Sequence, residues 1–335
     1  MKIKIAVFFF GVAFLFLCKP GWTSNYTIQG QMMMHPGSKK PHKAKLKWPS
    51  GWYIQAGPHG GALHYYEGAV FPGVENFYGG ITLPDVGYSA EIGYSPQKKG
   101  IWGAVRLSQS WTGRGNETYL TYSTFFPPGL QVNPPILSPA PPGDYYVQKN
   151  LQNSWYSAFY SDIYLGYKFP YGHHGESVIL FALAGWRSMT INVNGGTFTV
   201  SQCSSTGCSA PMFSGVVVGN GTETHRSPDY GGGMQFDIPL ANHWEITSRL
   251  QYATLPHALI TAEYIPGTPV LASHGEEGVA QINIEKFVND NFAFSFGYTG
   301  DFFGIRRSPM DSLGYFYPGG GWNENNIHGQ LIYHF

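Results

Sequence analysis

Residues 323–335 read NENNIHGQLIYHF, and the alternation in this stretch decides the fold. Gly329, Leu331, Tyr333 and Phe335 fall on one side of an extended chain, while His328, Gln330 and His334 mostly fall on the other. The apolar period is two, which is that of a strand, and not the 3.6 of a helix. In a soluble domain a terminal apolar side chain has to be tied down to be buried. Here the chain closes on a strand with one apolar face.

At the other terminus, Lys2 and Lys4 precede an apolar run over residues 5–17, which is short for a bilayer span and is placed like a secretory h-region. Residues 1–24 are expected to be a signal peptide, with Ser24 as its last residue. Cys18 follows the bulky Leu17, so it is read as lost with the signal and not as a lipid anchor. Beyond Leu17, apolar runs are broken every few residues by Gly, Asn, Gln or a charge, and no transmembrane helix is expected.

A formal net charge of zero conceals an asymmetry. Residues 1–51 hold eight lysines and no acid, whereas residues 52–335 hold twelve Lys or Arg against twenty Asp or Glu. Residues 25–51, with SKKPHKAKLKWPS at 38–50, read as a basic, flexible periplasmic segment. Such a segment is either solvated linker or an electrostatic contact with an anionic membrane surface. For a secreted chain, nucleic acid is not an expected partner.

From residue 52 the chain falls into paired extended segments. VGYSAEIGYSP (86–96) sets Val86, Tyr88, Ala90, Ile92 and Tyr94 on one face and Ser89 and Glu91 on the other. Turns at 97–100, 170–176, 241–243 and 288–291 are short, while the segments 112–153 and 194–228 read as long loops. Short turns alternate with long loops along about ten strands, a rule that a transmembrane barrel follows and a soluble sandwich has no reason to keep. The composition agrees, with 44 Gly, 23 Tyr, 23 Phe and 9 Trp but only 12% charged residues. The expected fold is all-β, an antiparallel up-and-down transmembrane β-barrel over residues 52–335 with long outer loops and short periplasmic turns. The faces then predict that Glu91, Arg106, Asp237, Arg249, Gln251 and Glu285 point into the barrel. Ile92, Val105, Phe236, Leu250 and Ile282 should point to lipid.

The alternating end, with Leu331, Tyr333 and Phe335 on one face, resembles the C-terminal assembly signal of bacterial outer-membrane barrels. That resemblance implies a Gram-negative outer membrane as the location. It also implies outer-membrane lipids, lipopolysaccharide and the barrel-assembly machinery as partners. The stretches DIYLGYKFPYGHHGESVILFALAGWRSMTINVNGG (162–196) and YGGGMQFDIPLANHWEITSRLQYA (230–253) resemble, in pattern, hairpins of the omptin proteases. Omptin chemistry implies a water held between an Asp pair on one outer loop and an Asp-x-His pair across the barrel mouth. SWTGRGNETYLTY (110–122) offers only Glu117, and TLPHALITAEYIPG (254–267) has no His two positions after an acid, so no catalytic residue is carried over.

Substitute pairs are His257 with Glu263, and His274 beside Glu276 and Glu277; each has an ordinary explanation in a chain with twelve histidines. His173 and His174 sit on a short turn without a third ligand in sequence, so neither a metal nor a cofactor is expected. Cys203 and Cys208, in SQCSSTGCSA (201–210), are expected to form a disulfide in an outer loop. Three functions stay open: a non-enzymatic barrel whose loops bind a host or cell-surface ligand, an omptin-like hydrolase with a non-standard site, and a small-solute channel. The first is preferred, because the Pro-rich segment FFPPGLQVNPPILSPAPPGDYY (125–146) suits surface binding and a ten-stranded lumen can be filled by side chains.

Overall fold

The computed structural model describes residues 50–335 apart from 72–74, 124–131, 134–143, 173–174, 205–206, 209, 211–212, 218–219, 264–269 and 312–316. The expected signal peptide and basic segment therefore lie outside the described residues. The strands are β1 (Gly51–Phe71), β2 (Glu75–Ser95), β3 (Gly100–Thr112), β4 (Gly115–Ser123), β5 (Val132–Asn133), β6 (Asp144–Pro170) and β7 (Ser177–Ser204). They continue with β8 (Gly207–Cys208), β9 (Phe213–Val217), β10 (Gly221–Pro239), β11 (Trp244–Ala262), β12 (Val270–Phe287), β13 (Phe292–Ile305) and β14 (Gly320–His334). β3 and β4 occupy one stave between β2 and β6, and β5, β8 and β9 are short additions at the outer end of the sheet. Each stave pairs antiparallel with its neighbours, and β1 meets β14 from Tyr53↔His334 to Glu67↔Gly320. The result is a closed ten-stranded antiparallel barrel, the fold expected from the alternation.

Closure answers a solvent requirement. Hydrocarbon offers no partner for a backbone N–H or C=O, so a sheet can cross it only without edges. The final seam is continued by Phe335, whose N–H donates to the Trp52 carbonyl at 2.9 Å.

Outward-facing side chains form a lipid belt. Ile54, Ile92, Val105, Leu107, Ile163, Leu165, Leu180, Ile282, Ile284, Phe296 and Leu331 are exposed apolar residues on the barrel wall. Rings border them at the turn end, among them Trp52, Tyr94, Tyr167, Phe169, Trp244 and Tyr333. Farther out along their strands stand Tyr88, Trp111, Phe159, Trp186, Tyr230 and Tyr252, also exposed. Rings of this kind sit where an aromatic body meets lipid and its polar tip meets the headgroups. The expected inward set is inward: Glu91, Asp237, Arg249, Gln251 and Glu285 are buried, and Arg106 lines an internal cavity. In the expected lipid-facing set, Ile92, Val105 and Ile282 are exposed, and Leu250 and Phe236 are half-buried.

The strands run farther outward than the sequence analysis expects. β6 and β7 have 27 and 28 residues, whereas a tilted strand crosses the hydrocarbon in about 9–11. Much of the stretches read as loops, 112–153 and 194–228, is therefore paired sheet, and β1 and β2 are joined across residues 72–74 alone. The reason is a change of solvent along each strand. Above the belt the outer face meets water and the lumen side becomes apolar, so Leu63, Ile81, Leu83, Met189, Ile191, Leu255, Ile260 and Leu271 point inward while Thr82, Thr254, His257 and His274 point out. The lipid-type alternation ends there, although the backbone stays extended.

At this level both seams of β11 are irregular, with a register shift between Arg226 and Tyr230 in the pairing with β10 and one between Leu255 and Ala258 in the pairing with β12. Pro228 and Pro256 sit within these irregularities, where a missing N–H removes no ladder bond. The extra residue on β11 lets both Leu255 and Ala258 face the lumen. Placing Arg at Ile282, on the lipid face of β12, should destabilise the barrel by about 2–4 kcal/mol if the residue lies near the midplane. A urea titration of refolding into phospholipid vesicles measures this, and an unchanged midpoint would place Ile282 off the lipid face.

Candidate functional site

The lumen is filled in layers. Nearest the turns lies a cavity of about 310 Å³ lined by Lys168, Asp237, Gln235, Glu245, Thr247 and Glu285, among others. Lys168 Nζ is 3.3 Å from Asp237 Oδ2, and Thr247 Oγ1 donates to Glu285 at 3.1 Å. Arg249 closes this vestibule: its Nη1 and Nη2 hold both oxygens of Glu91 at 2.9 and 3.2 Å, and its Nε donates to Gln235 at 3.0 Å. Tyr53 donates to Glu91 at 2.7 Å, and the guanidinium lies over the rings of Trp102 and Tyr164.

Farther out, Arg187, 2% exposed, gathers three carboxylates from three different strands. Its Nη1 is 2.8 Å from Asp162, its Nη2 3.4 Å from Asp229 and its Nε 2.8 Å from Glu277. Glu324 accepts from Tyr160 at 2.6 Å and from Ser110 at 3.3 Å, and Tyr160 in turn accepts from the Trp322 indole at 2.8 Å. Between the two arginine layers, the cavity bordered by His59, Arg106, Asp301, Glu324 and His328 has only about 30 Å³, roughly one water.

At the outer end, above the lipid belt, the apolar core encloses a polar cluster. Tyr65 and Glu67 share the lumen face of β1, and Glu223 and His225 share that of β10, each pair by the two-residue period of a strand. β1 and β10 stand on opposite sides of the barrel, since at least three staves separate them in either direction around the closed sheet. Tyr65 donates to Glu67 and reaches Glu223 at 3.5 Å, and His225 Nε2 lies 2.5 Å from Glu223 Oε1. One ligating atom from each of Glu67, Glu223 and His225 lies within 4.8 Å of the others. The imidazole is 1% exposed and is met edge-on by the rings of Tyr65, Tyr317 and Trp322. Burial, together with the Glu67 and Glu223 carboxylates, pushes the Tyr317 phenol well above its ordinary pKa. Tyr317 thus faces this pair as a protonated phenol.

The residues singled out in sequence are dispersed. Glu263 is exposed and accepts from Thr222 Oγ1 at 2.5 Å, and His257 is exposed. Neighbouring Glu276 and Glu277 part to opposite faces: Tyr252 donates to Glu276 on the outside at 2.9 Å, while Glu277 holds Arg187 inside. The side chain of Glu117 and both His173 and His174 lie outside the described residues. Leu331, Tyr333 and Phe335 share the exposed outward face, as the alternation requires. Cys203 and Cys208 are direct partners in the β7–β8 register, but their side chains lie outside the described residues.

The cluster missed by sequence reasoning is Glu223-Thr224-His225. It is an acid-x-His pattern, whose ends meet only if the segment is a strand, and 194–228 read as loop. That pattern was the available signal.

No protein-family model and no curated protein matches the chain. Among solved structures, it is similar to the outer-membrane protease OmpT from Escherichia coli, with a TM-score of 0.51 at 10% identity over 84% of this chain and 97% of that one. Similarity also extends to an outer-membrane channel from Pseudomonas putida F1, with a TM-score of 0.28 at 10% identity over 89% and 100% of the two chains. For the Pseudomonas putida toluene transporter TodX the values are 0.24, 9%, 86% and 91%. The OmpT likeness shows the architecture, an omptin-type ten-stranded barrel, and nothing about chemistry.

Replacing Arg187 with Met leaves Asp162, Asp229 and Glu277 crowded without their shared cation. This should cost about 3–5 kcal/mol in a urea titration, against a smaller loss for Lys168→Met in the vestibule. Non-reducing mass spectrometry of the purified protein should find a peptide linking Cys203 to Cys208, since their backbones already face each other; two free thiols would refute the bond.

Proposed function

We propose that the protein is a non-enzymatic, non-conducting outer-membrane barrel, delivered by a cleaved signal peptide, whose outer loops bind a host or cell-surface ligand. The supporting observation is the combination of a filled lumen and strands far longer than the bilayer needs. Arg249, Arg187 and the outer apolar core interrupt the lumen at successive levels. The 27- and 28-residue strands β6 and β7 carry paired sheet well beyond the belt. A rigid sheet holding loops away from lipopolysaccharide suits recognition, because loops on a firm scaffold lose less entropy on binding. Lipopolysaccharide and lipid then surround the belt, and Leu331, Tyr333 and Phe335 serve the assembly machinery.

A hydrolytic reading is favoured by one observation, the convergence of Glu223, His225 and Glu67. Against it, His225 is 1% exposed and ringed by aromatics, so a peptide bond has no approach to its nitrogens.

In planar bilayers the refolded protein should insert without stable conductance steps. Cells expressing it should adhere to host-cell monolayers, and replacing residues 125–143 with a short Gly-Ser linker should abolish adhesion while leaving the barrel folded. Stable ohmic steps, adhesion that survives loop replacement, or cleavage of basic peptides by the expressing cells would overturn the reading.

A further inference from the structure

We infer that Glu67, Glu223 and His225 form a site for a divalent transition metal of the zinc class, tying β1 to β10 across the outer end of the lumen. Two observations carry this. The first is convergence: two carboxylates and an imidazole from opposite walls offer ligand atoms within 4.8 Å of one another. Donor atoms around tetrahedral zinc, with bonds of about 2.0–2.2 Å, stand about 3.3–3.6 Å apart. Small side-chain rotations of the two glutamates close the difference. The second is the setting. The cluster is enclosed by Leu63, Tyr156, Ile191, Leu255, Ile260 and Trp322, and Glu67, Glu223 and His225 are all buried. Two carboxylates brought this close in a low-dielectric pocket repel each other, and a divalent ion placed between them turns that repulsion into attraction.

The metal–ligand bond would form at Nε2, the imidazole nitrogen that lies 2.5 Å from Glu223 Oε1, and would take the place of that contact. The Tyr65 hydroxyl, already donating to Glu67, would orient that carboxylate without itself binding the metal.

The donor set selects the metal. One imidazole and two carboxylates in a tight, dry pocket suit zinc and its borderline neighbours. Calcium takes six to eight oxygens, and magnesium keeps several of its waters, whereas this cluster offers two carboxylates and an imidazole set among aromatic rings.

The test uses the full-length, untagged protein, refolded, stripped with EDTA and dialysed against Zn²⁺, with bound metal measured by mass spectrometry. Folded protein should retain zinc stoichiometrically, and Co²⁺ in its place should give the visible absorption of a low-coordinate site. His225→Ala and Glu67→Gln should each weaken zinc binding about 10–100-fold. His257→Ala, His274→Ala and the double variant His173→Ala/His174→Ala should leave it unchanged. Zinc should raise the thermal midpoint of the native barrel and not that of folded Glu67→Gln, which keeps the assay decisive even where His225→Ala does not fold. Failure of the folded native protein to retain zinc would overturn the inference. So would retention that survives both His225→Ala and Glu67→Gln, or loss of binding in the exposed-histidine variants.

Discussion

Backbone pairing in a solvent without hydrogen-bond partners is the constraint on which the rest of this structure depends. The β1–β14 seam, from Tyr53↔His334 outward, removes the last two edges of the sheet. Once the sheet is closed, every strand must present one face to lipid and the other to an enclosed lumen. The lumen of ten strands is narrow enough to be packed with side chains. Closure therefore decides that Arg187 and Arg249 are internal, and that their charges must be answered internally as well.

Those arginines illustrate how buried charge is accommodated. Arg187 meets three carboxylates and Arg249 meets one, all from other strands, so each ion pair also reports that the barrel has closed in the right register. Such networks are weak evidence for net stability, because desolvation offsets much of the attraction. Their cost lies in disruption: removing one partner strands the others in a low dielectric.

Along a single strand the physical meaning of the two faces reverses. On β11, Arg249 and Gln251 face the lumen where the outer face meets lipid, whereas Leu255, Ala258 and Ile260 face it where the outer face meets water. One barrel is thus an inside-out protein at one end and an ordinary globular core at the other. The Glu67–Glu223–His225 cluster sits in the second environment, where polar groups are fewest and each one asks for a partner.

Periodicity in the chain sufficed for the all-β class and for separating Ile92 and Ile282 from Glu91 and Arg249 onto opposite faces, and the turn and loop lengths, the aromatic composition and the apolar ending at Phe335 then selected the ten-stranded barrel and the face that meets lipid. The separation of faces is a local consequence of a period of two, and a strand's faces can be read from its own residues. Strand ends were not legible, because above the belt neither face keeps the lipid pattern and paired sheet then reads as loop. The site was legible only in half. Glu223 and His225 are two residues apart, but their meeting with Tyr65 and Glu67, more than 150 residues earlier in the chain, follows from barrel closure, which brings opposite walls together. Which of the acidic residues near a histidine becomes its neighbour is likewise a matter of strand parity and register: Glu276 and Glu277 part to opposite faces, while Glu223 points inward toward His225. Local chemistry settles the direction in which a side chain points, and closure of the sheet settles what it meets there.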